Sequence, residues 1–204
     1  MASIISPAYS SEEERDRHGE AERVMDRLGV RPTMRVADIG AGAGYYTVRL
    51  ARRLGRDAMI FAEDVNGEYL ARLRDRLRRE RISGVSVIHG EPNDPKLPIA
   101  SVDLAILSHV YHEIANPYEL LYRLRAALGP GARVAIIDVD KPTDRHGTPP
   151  ALLRCELAAV GYRQVDFTSL APADGYLAVF VPPDTLPATI VPCQLSAQRR
   201  RRLW

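Results

Sequence analysis

The chain has 204 residues, enough for one domain with a proper core. A hydrophobic fraction of 46% and a charged fraction of 26% exclude a disordered or fibrous chain. A formal net charge of +2 provides no field to recruit a polyanion, and no apolar run approaches the roughly 20 residues that span a bilayer.

The cations are almost all arginine, with lysine only at Lys96 and Lys141, which reads as compositional bias rather than a nucleic-acid patch. The two cysteines, Cys155 and Cys193, suggest neither a disulfide framework nor metal spacing. Cys155 sits in a helical pattern, as a buried small hydrophobe would. The opening MASIISPAYSSEEERDR has no charged leader or apolar core of signal-peptide length, so the expected compartment is the cytoplasm.

In chain order, Ser11 to Leu28 is polar and helical, with Ser11 and Glu14 as a capping box and Gly29 as the stop. Gly19 divides it into two short helices. Beyond Pro32 strands and helices alternate. Arg35 to Ile39 is a strand, Tyr45 to Leu54 a helix, and Ala58 to Ala62 a second strand. Asn66 caps a helix with an apolar stripe of Leu70, Leu73 and Leu77. Val85 to Ile88 and Val102 to Leu107 are strands three and four. Asn116, Pro117 and Glu119 open the next helix and Gly129-Pro130 closes it. Arg133 to Ile137 is the fifth strand, and Pro150 to Val160 a helix stopped by Gly161. Val165 to Ser169 and Tyr176 to Val181 form a hairpin-like end. The sum is a Rossmann-like, doubly wound α/β fold with a mostly parallel seven-stranded sheet and an antiparallel last strand. It divides into a helical cover over residues 1–31, a core domain over 32–182, and a proline-rich tail over 183–204 that ends in consecutive arginines.

The segment Asp38-Ile-Gly-Ala-Gly-Ala-Gly44 follows a strand and opens a helix, where a doubly wound sheet opens its crevice. Glycines there admit unusual φ angles and let a ligand approach bare backbone. The dinucleotide fingerprint needs a glycine where this chain has Tyr45. A diphosphate would also dislike Asp38 so near a helix N-terminus, whereas an ammonium or sulfonium would tolerate it.

Asp38 to Gly44 resembles the first motif of class I S-adenosylmethionine-dependent methyltransferases. The likeness continues through Ile60-Phe-Ala-Glu-Asp64, Gly90-Glu-Pro-Asn-Asp94 and Ser101-Val-Asp103, and is near the quinone-methylase-like branch. It implies S-adenosyl-L-methionine as cofactor, with Gly40, Ala41 and Gly42 against the methionine moiety. Asp64, with Val65, would take the ribose, Glu91 or Asp94 the adenine amine, and Ser108 would lie at the cofactor edge. Pro92 removes a backbone donor that many members have, which shifts weight to Asp94. For Asp38 a structural role, holding the glycine turn, stands beside cofactor contact.

Methyl transfer is an in-line displacement that rests on alignment and desolvation, with a base where the acceptor carries a proton. Ser108-His-Val-Tyr-His-Glu113 follows strand four, so His112 and Tyr111 are the acceptor-site candidates, with support of the loop as the alternative for His112. Asp138 and Asp140 end strand five and could orient His112, and His146 lies on a loop near the same mouth. Tyr9, Arg17 and His18 of the cover could reach in from above. No metal is expected: H-x-x-H-E is not H-E-x-x-H, and the Asp-Asn pair of metal-dependent relatives is missing. The expected function is methylation of a small organic acceptor at oxygen or carbon. An RNA or protein methyltransferase, or a non-catalytic partner of the same fold, remains the alternative. The expected partner is a small-molecule acceptor rather than nucleic acid, and pairing into a homodimer is left open.

Overall fold

The computed structural model describes residues 11–171 and 175–194, so Tyr9 and the terminal arginines lie outside the described residues. Ser11 caps α1 (Glu12–Arg17) by accepting from the Glu14 N–H at 3.2 Å, and Gly19 at φ +62° starts α2 (Glu20–Leu28). The division at Gly19 follows from that left-handed residue, which ends one helix and begins another.

The remaining elements are β1 (Arg35–Ile39), α3 (Tyr45–Leu54), β2 (Met59–Asp64), α4 (Gly67–Arg79), β3 (Val85–His89) and β4 (Val102–Ser108). They continue with α5 (Pro117–Ala127), β5 (Leu128–Asp138), α6 (Pro150–Ala159), β6 (Arg163–Ser169) and β7 (Tyr176–Val181). The seven strands run β3-β2-β1-β4-β5-β7-β6, parallel from β3 to β5, with β7 antiparallel to both its neighbours. Sequence and structure agree on this fold class. β5 starts earlier than expected because Leu128 pairs with Val102 across an irregular register, so Gly129-Pro130 ends α5 inside a strand.

Alternation along the strands separates two cores. Val36, Ile60, Leu104, Ile106 and Ile137 face α2 and α3, with Val24, Met25, Leu28, Tyr46 and Leu50. Ala37, Ile39, Ala105, Leu107 and Ile136 face α5 and α6, with Leu121, Leu124, Leu153 and Leu157. Leu70, Leu73 and Leu77 pack α4 on Ala62, as the stripe predicted. α1 differs, having no buried residue.

The cysteines depart from expectation. Cys155 on α6 is bonded to Cys193, whose sequence separation is 38 residues. Two distant cysteines carry no pairing signal of their own. The bond fixes the described start of the tail to the α5–α6 side, where Leu186 and Ile190 also pack and the Cys193 N–H donates to the Tyr118 hydroxyl at 2.9 Å. Such bonds persist in oxidising surroundings and are uncommon in the cytoplasm expected from the sequence. Among the described residues no helix is long and apolar enough to cross a membrane.

Candidate active site

At the carboxyl ends of β1, β2 and β4 lies a pocket of about 570 Å³, lined by the glycine loop, Glu63 to Val65, Glu91, the segment after β4, and α1. Its position is the switch point between β1 and β4, from which the sheet winds outward in both directions. Its volume is in the range of small-molecule sites.

The floor is built by close backbone approach. Gly40 sits at φ +69°, and a Cβ there would stand 2.5 Å from Val110 Cγ2. The absent side chain therefore lets the loop after β4 close on the glycine loop. Gly42, at φ +56°, lines the pocket, and a Cβ built on it meets nothing within 4 Å. Bare backbone thus faces open space where a bound ligand would lie, and the cradle fits a methionine-bearing cofactor.

Asp64 closes the end of β2. Its Oδ2 accepts the Gly42 N–H at 2.8 Å and its Oδ1 the Asn66 N–H at 2.8 Å, so one carboxylate holds the glycine loop and the start of α4 while lining the pocket. Neighbouring Glu63 also lines the pocket, and its carboxyl is pushed up to about 8, chiefly by burial and then by the Asp64 charge.

Asp38 is not brought to the pocket wall. Strand alternation turns it toward α3, where Oδ2 accepts from Thr47 Oγ1 at 2.6 Å, and burial raises its carboxyl to about 6. Its place is the structural one, locking β1 to the first turn of α3. Asp94 is also turned away: Oδ1 accepts the Lys96 N–H at 2.9 Å and Oδ2 faces Arg123 at 3.3 Å. Glu91 lines the pocket beside Pro92, and Val65 and Ser108 line it too.

α1 lays Ser11, Glu12 and Arg15 against the pocket, three residues on one helical face. Arg15 stacks its guanidinium 3.6 Å from the Tyr45 ring centroid and donates to Glu20 Oε1 at 2.6 Å and Ser108 Oγ at 2.8 Å. Burial alone would raise the Glu20 carboxyl, but His109 and Arg15 outweigh it and hold it at about 2. Arg17 and His18, the residues of this segment expected at the site, do not line the pocket. The spacing of Ser11, Glu12 and Arg15 was the available signal.

After β4 the chain turns at His109, a non-glycine residue at φ +54°. That turn sends His109 toward Glu20 Oε2, 3.4 Å away, and starts a 3-10 turn over Tyr111–Glu113. Successive residues of so tight a turn point about 120° apart. Tyr111 goes inward, fully buried, its hydroxyl donating to Glu156 Oε2 on α6 at 3.1 Å, and it does not line the pocket. Tyr111 is a core residue here, not an acceptor-site group. His112 goes to the pocket, with Nδ1 at 3.1 Å from both oxygens of Asp138. Asp138 is fully buried and also accepts the Val139 N–H at 2.9 Å and the Thr148 hydroxyl at 2.7 Å. With the Asp138 carboxylate as acceptor, the neutral imidazole carries its proton on Nδ1 and its lone pair on Nε2. His146 completes this corner, while Asp140 is exposed and outside the pocket lining.

Comparison with known proteins agrees with this geometry. The profile of a family described as a methyltransferase domain matches residues 36–131. The ubiquinone/menaquinone biosynthesis C-methyltransferase UbiE of Vibrio vulnificus is 29% identical over 120 residues, 58% of this chain and 46% of that protein. The chain thus spans about half the length of the curated relatives it matches. A SAM-dependent methyltransferase from Aquifex aeolicus superposes with a TM-score of 0.76 at 23% identity, covering 81% of this chain and 91% of that one. The [4+2]-cyclase SpnF superposes at 0.68 with 18% identity, covering 80% and 65%. The order of strands, the glycine loop at the switch point and these relatives together make residues 36–131 similar to the methyltransferase-domain family, on a fold shared with solved SAM-dependent methyltransferases.

Proposed function

We propose that this chain binds S-adenosyl-L-methionine across the glycine loop and catalyses methyl transfer to a small organic acceptor at oxygen or carbon. When bound, the cofactor supplies an electrophilic methyl group on a sulfonium. Gly40 to Gly42 would lie against its methionine moiety, Asp64 and Val65 by the ribose, and Glu91 by the adenine. Arg15, the cation that α1 lays over the pocket, is the natural partner for the amino-acid carboxylate.

The observation that carries the catalytic part is the pair of contacts from Asp138 to His112 Nδ1 at 3.1 Å, in a ring that lines the pocket. It leaves Nε2 to receive a proton from an acceptor hydroxyl or an activated ring carbon, while buried Asp138 stabilises the resulting imidazolium. Val110, Ile114 and Leu120 line the same pocket and suit an apolar, ring-bearing acceptor. The quinone-pathway names of the relatives point to the same class.

The test is a turnover screen with a labelled methyl donor against quinones, phenols and carboxylic acids, with calorimetry of cofactor binding alongside. His112→Ala should lower turnover by about 10²–10⁴-fold and leave cofactor affinity nearly unchanged. A loss below about fivefold removes His112 as base and leaves proximity and desolvation as the source of rate.

A further inference from the structure

His112 and Glu113 arrive at the pocket on the 3-10 turn, and His146 arrives on the loop after β5. One ligand atom from each lies within 4.8 Å of the others, and His112 Nε2 is 3.9 Å from Glu113 Oε1. The two imidazoles stand edge to face, 5.7 Å between centroids. The sequence grouping of His109, His112 and Glu113 is broken up by the fold, because His109 turns to Glu20. His146, distant in sequence, takes the vacated position.

We infer that His112 Nε2, the Glu113 carboxylate and His146 form a binding site for one divalent transition-metal ion, with Zn²⁺ the best match. Two imidazoles and one carboxylate suit zinc and its neighbours rather than Mg²⁺ or Ca²⁺, which take oxygen ligands. A filled zinc tetrahedron places ligand atoms ~3.3 Å apart, so the three groups close in by about 1.5 Å at most through side-chain rotation. Asp138 holds the remaining nitrogen of His112, and the Val139 N–H and Thr148 hydroxyl hold Asp138. That is the carboxylate–histidine support that orients a metal-bound imidazole and raises its basicity. A base alone requires Asp138 and His112. Glu113 and His146 beside Nε2 are the additional groups a cation uses.

The ion and the acceptor's proton compete for one lone pair. Zn²⁺ is therefore an inhibitor of methyl transfer, a consequence that rests on the proposed base role, whereas ion binding itself does not. The experiment treats the full chain with a chelator, removes the chelator, and titrates Zn²⁺ and Co²⁺ by calorimetry and visible absorption. One ion per chain is expected, with affinity roughly tenfold or more weaker in both His146→Ala and Glu113→Gln and unchanged in His109→Ala. Thermal melts of the metal-free variants separate a lost ligand from a lost fold. Equal affinity in wild type, His146→Ala and Glu113→Gln overturns the site, as does the absence of binding in the wild type. In the turnover assay, inhibition should follow the binding curve and weaken with it in His146→Ala. Binding in the triad with undiminished turnover overturns the inhibition. Failure of the methyltransferase reading shows separately, as no turnover by the metal-free wild type.

Discussion

His112 owes its orientation to a carboxylate at the end of β5, and Gly42 owes its role to a missing atom. Gly42 is held at φ +56° by the Asp64 carboxylate on its N–H, with open space where its Cβ would be. Gly42→Val puts a branched side chain into the cofactor's place and adds about 1–2 kcal/mol of left-handed strain, less than the about 5–15 kcal/mol by which a domain is stable. The expected outcome is a cooperative melt lowered by a few degrees with calorimetric cofactor binding abolished. Normal binding in this variant would mean that the loop does not cradle the ligand. The residues legible in the sequence are those whose backbone role is written in their type, such as Gly40, Gly42 and the caps Ser11, Asn66 and Asn116. Tyr111 and Asp38 were not legible. Their direction depends on a 3-10 phase and on strand parity, each of which a shift of one residue reverses.

At the scale of elements, α1 is held to the domain by charge. It buries no residue, and its ties are Glu12 to Arg76 at 2.7 Å, Arg15 to Glu20 at 2.6 Å, and Asp16 to Arg49. α2, by contrast, buries Val24, Met25 and Leu28 in the core. The ties of Glu12 and Asp16, whose side chains are well exposed, are individually weak and screened by salt, whereas burial is not. Hydrogen exchange should therefore be faster over residues 12–17 than over 20–28, and the difference should widen as salt rises from ~0.1 to ~1 M, where the Debye length falls from about 10 to 3 Å. Equal protection of the two helices at both salts would contradict this account. Since Arg15 rides on α1, cofactor affinity should fall over the same salt range. The capping box and the glycine stop revealed that the cover was helical. They did not reveal which face looked inward, because Arg76, Ser108 and Arg49, the partners of Glu12, Arg15 and Asp16, lie far away in the chain.

For the molecule as a whole, the crowded carboxylates at the switch point make stability depend on pH. Glu63 has its folded value near 8 against an ordinary 4.5, so between these limits the folded chain binds more protons than the unfolded one. Stability from this group is full below the ordinary value and declines as pH rises toward 8, by at most about 1.4 kcal/mol per pH unit. Glu20 runs the other way: held at about 2, it stabilises the fold above 4.5 and loses that effect on acidification. Denaturant midpoints measured from pH 5 to 8 should fall for the wild type and flatten in Glu63→Gln; parallel curves would show that Glu63 titrates normally. The mostly parallel, doubly wound sheet was legible because alternating patterns and short loops admit few windings, but the closure of the far edge was not. The Cys155–Cys193 bond encloses the whole β6–β7 hairpin in a covalent ring. A protease that cuts once between Ser169 and Tyr176 would leave a chain of unchanged mass, apart from one added water, that separates into two fragments only when a reductant opens the ring. The hairpin that completes the sheet is thus secured against a cut that would otherwise release it.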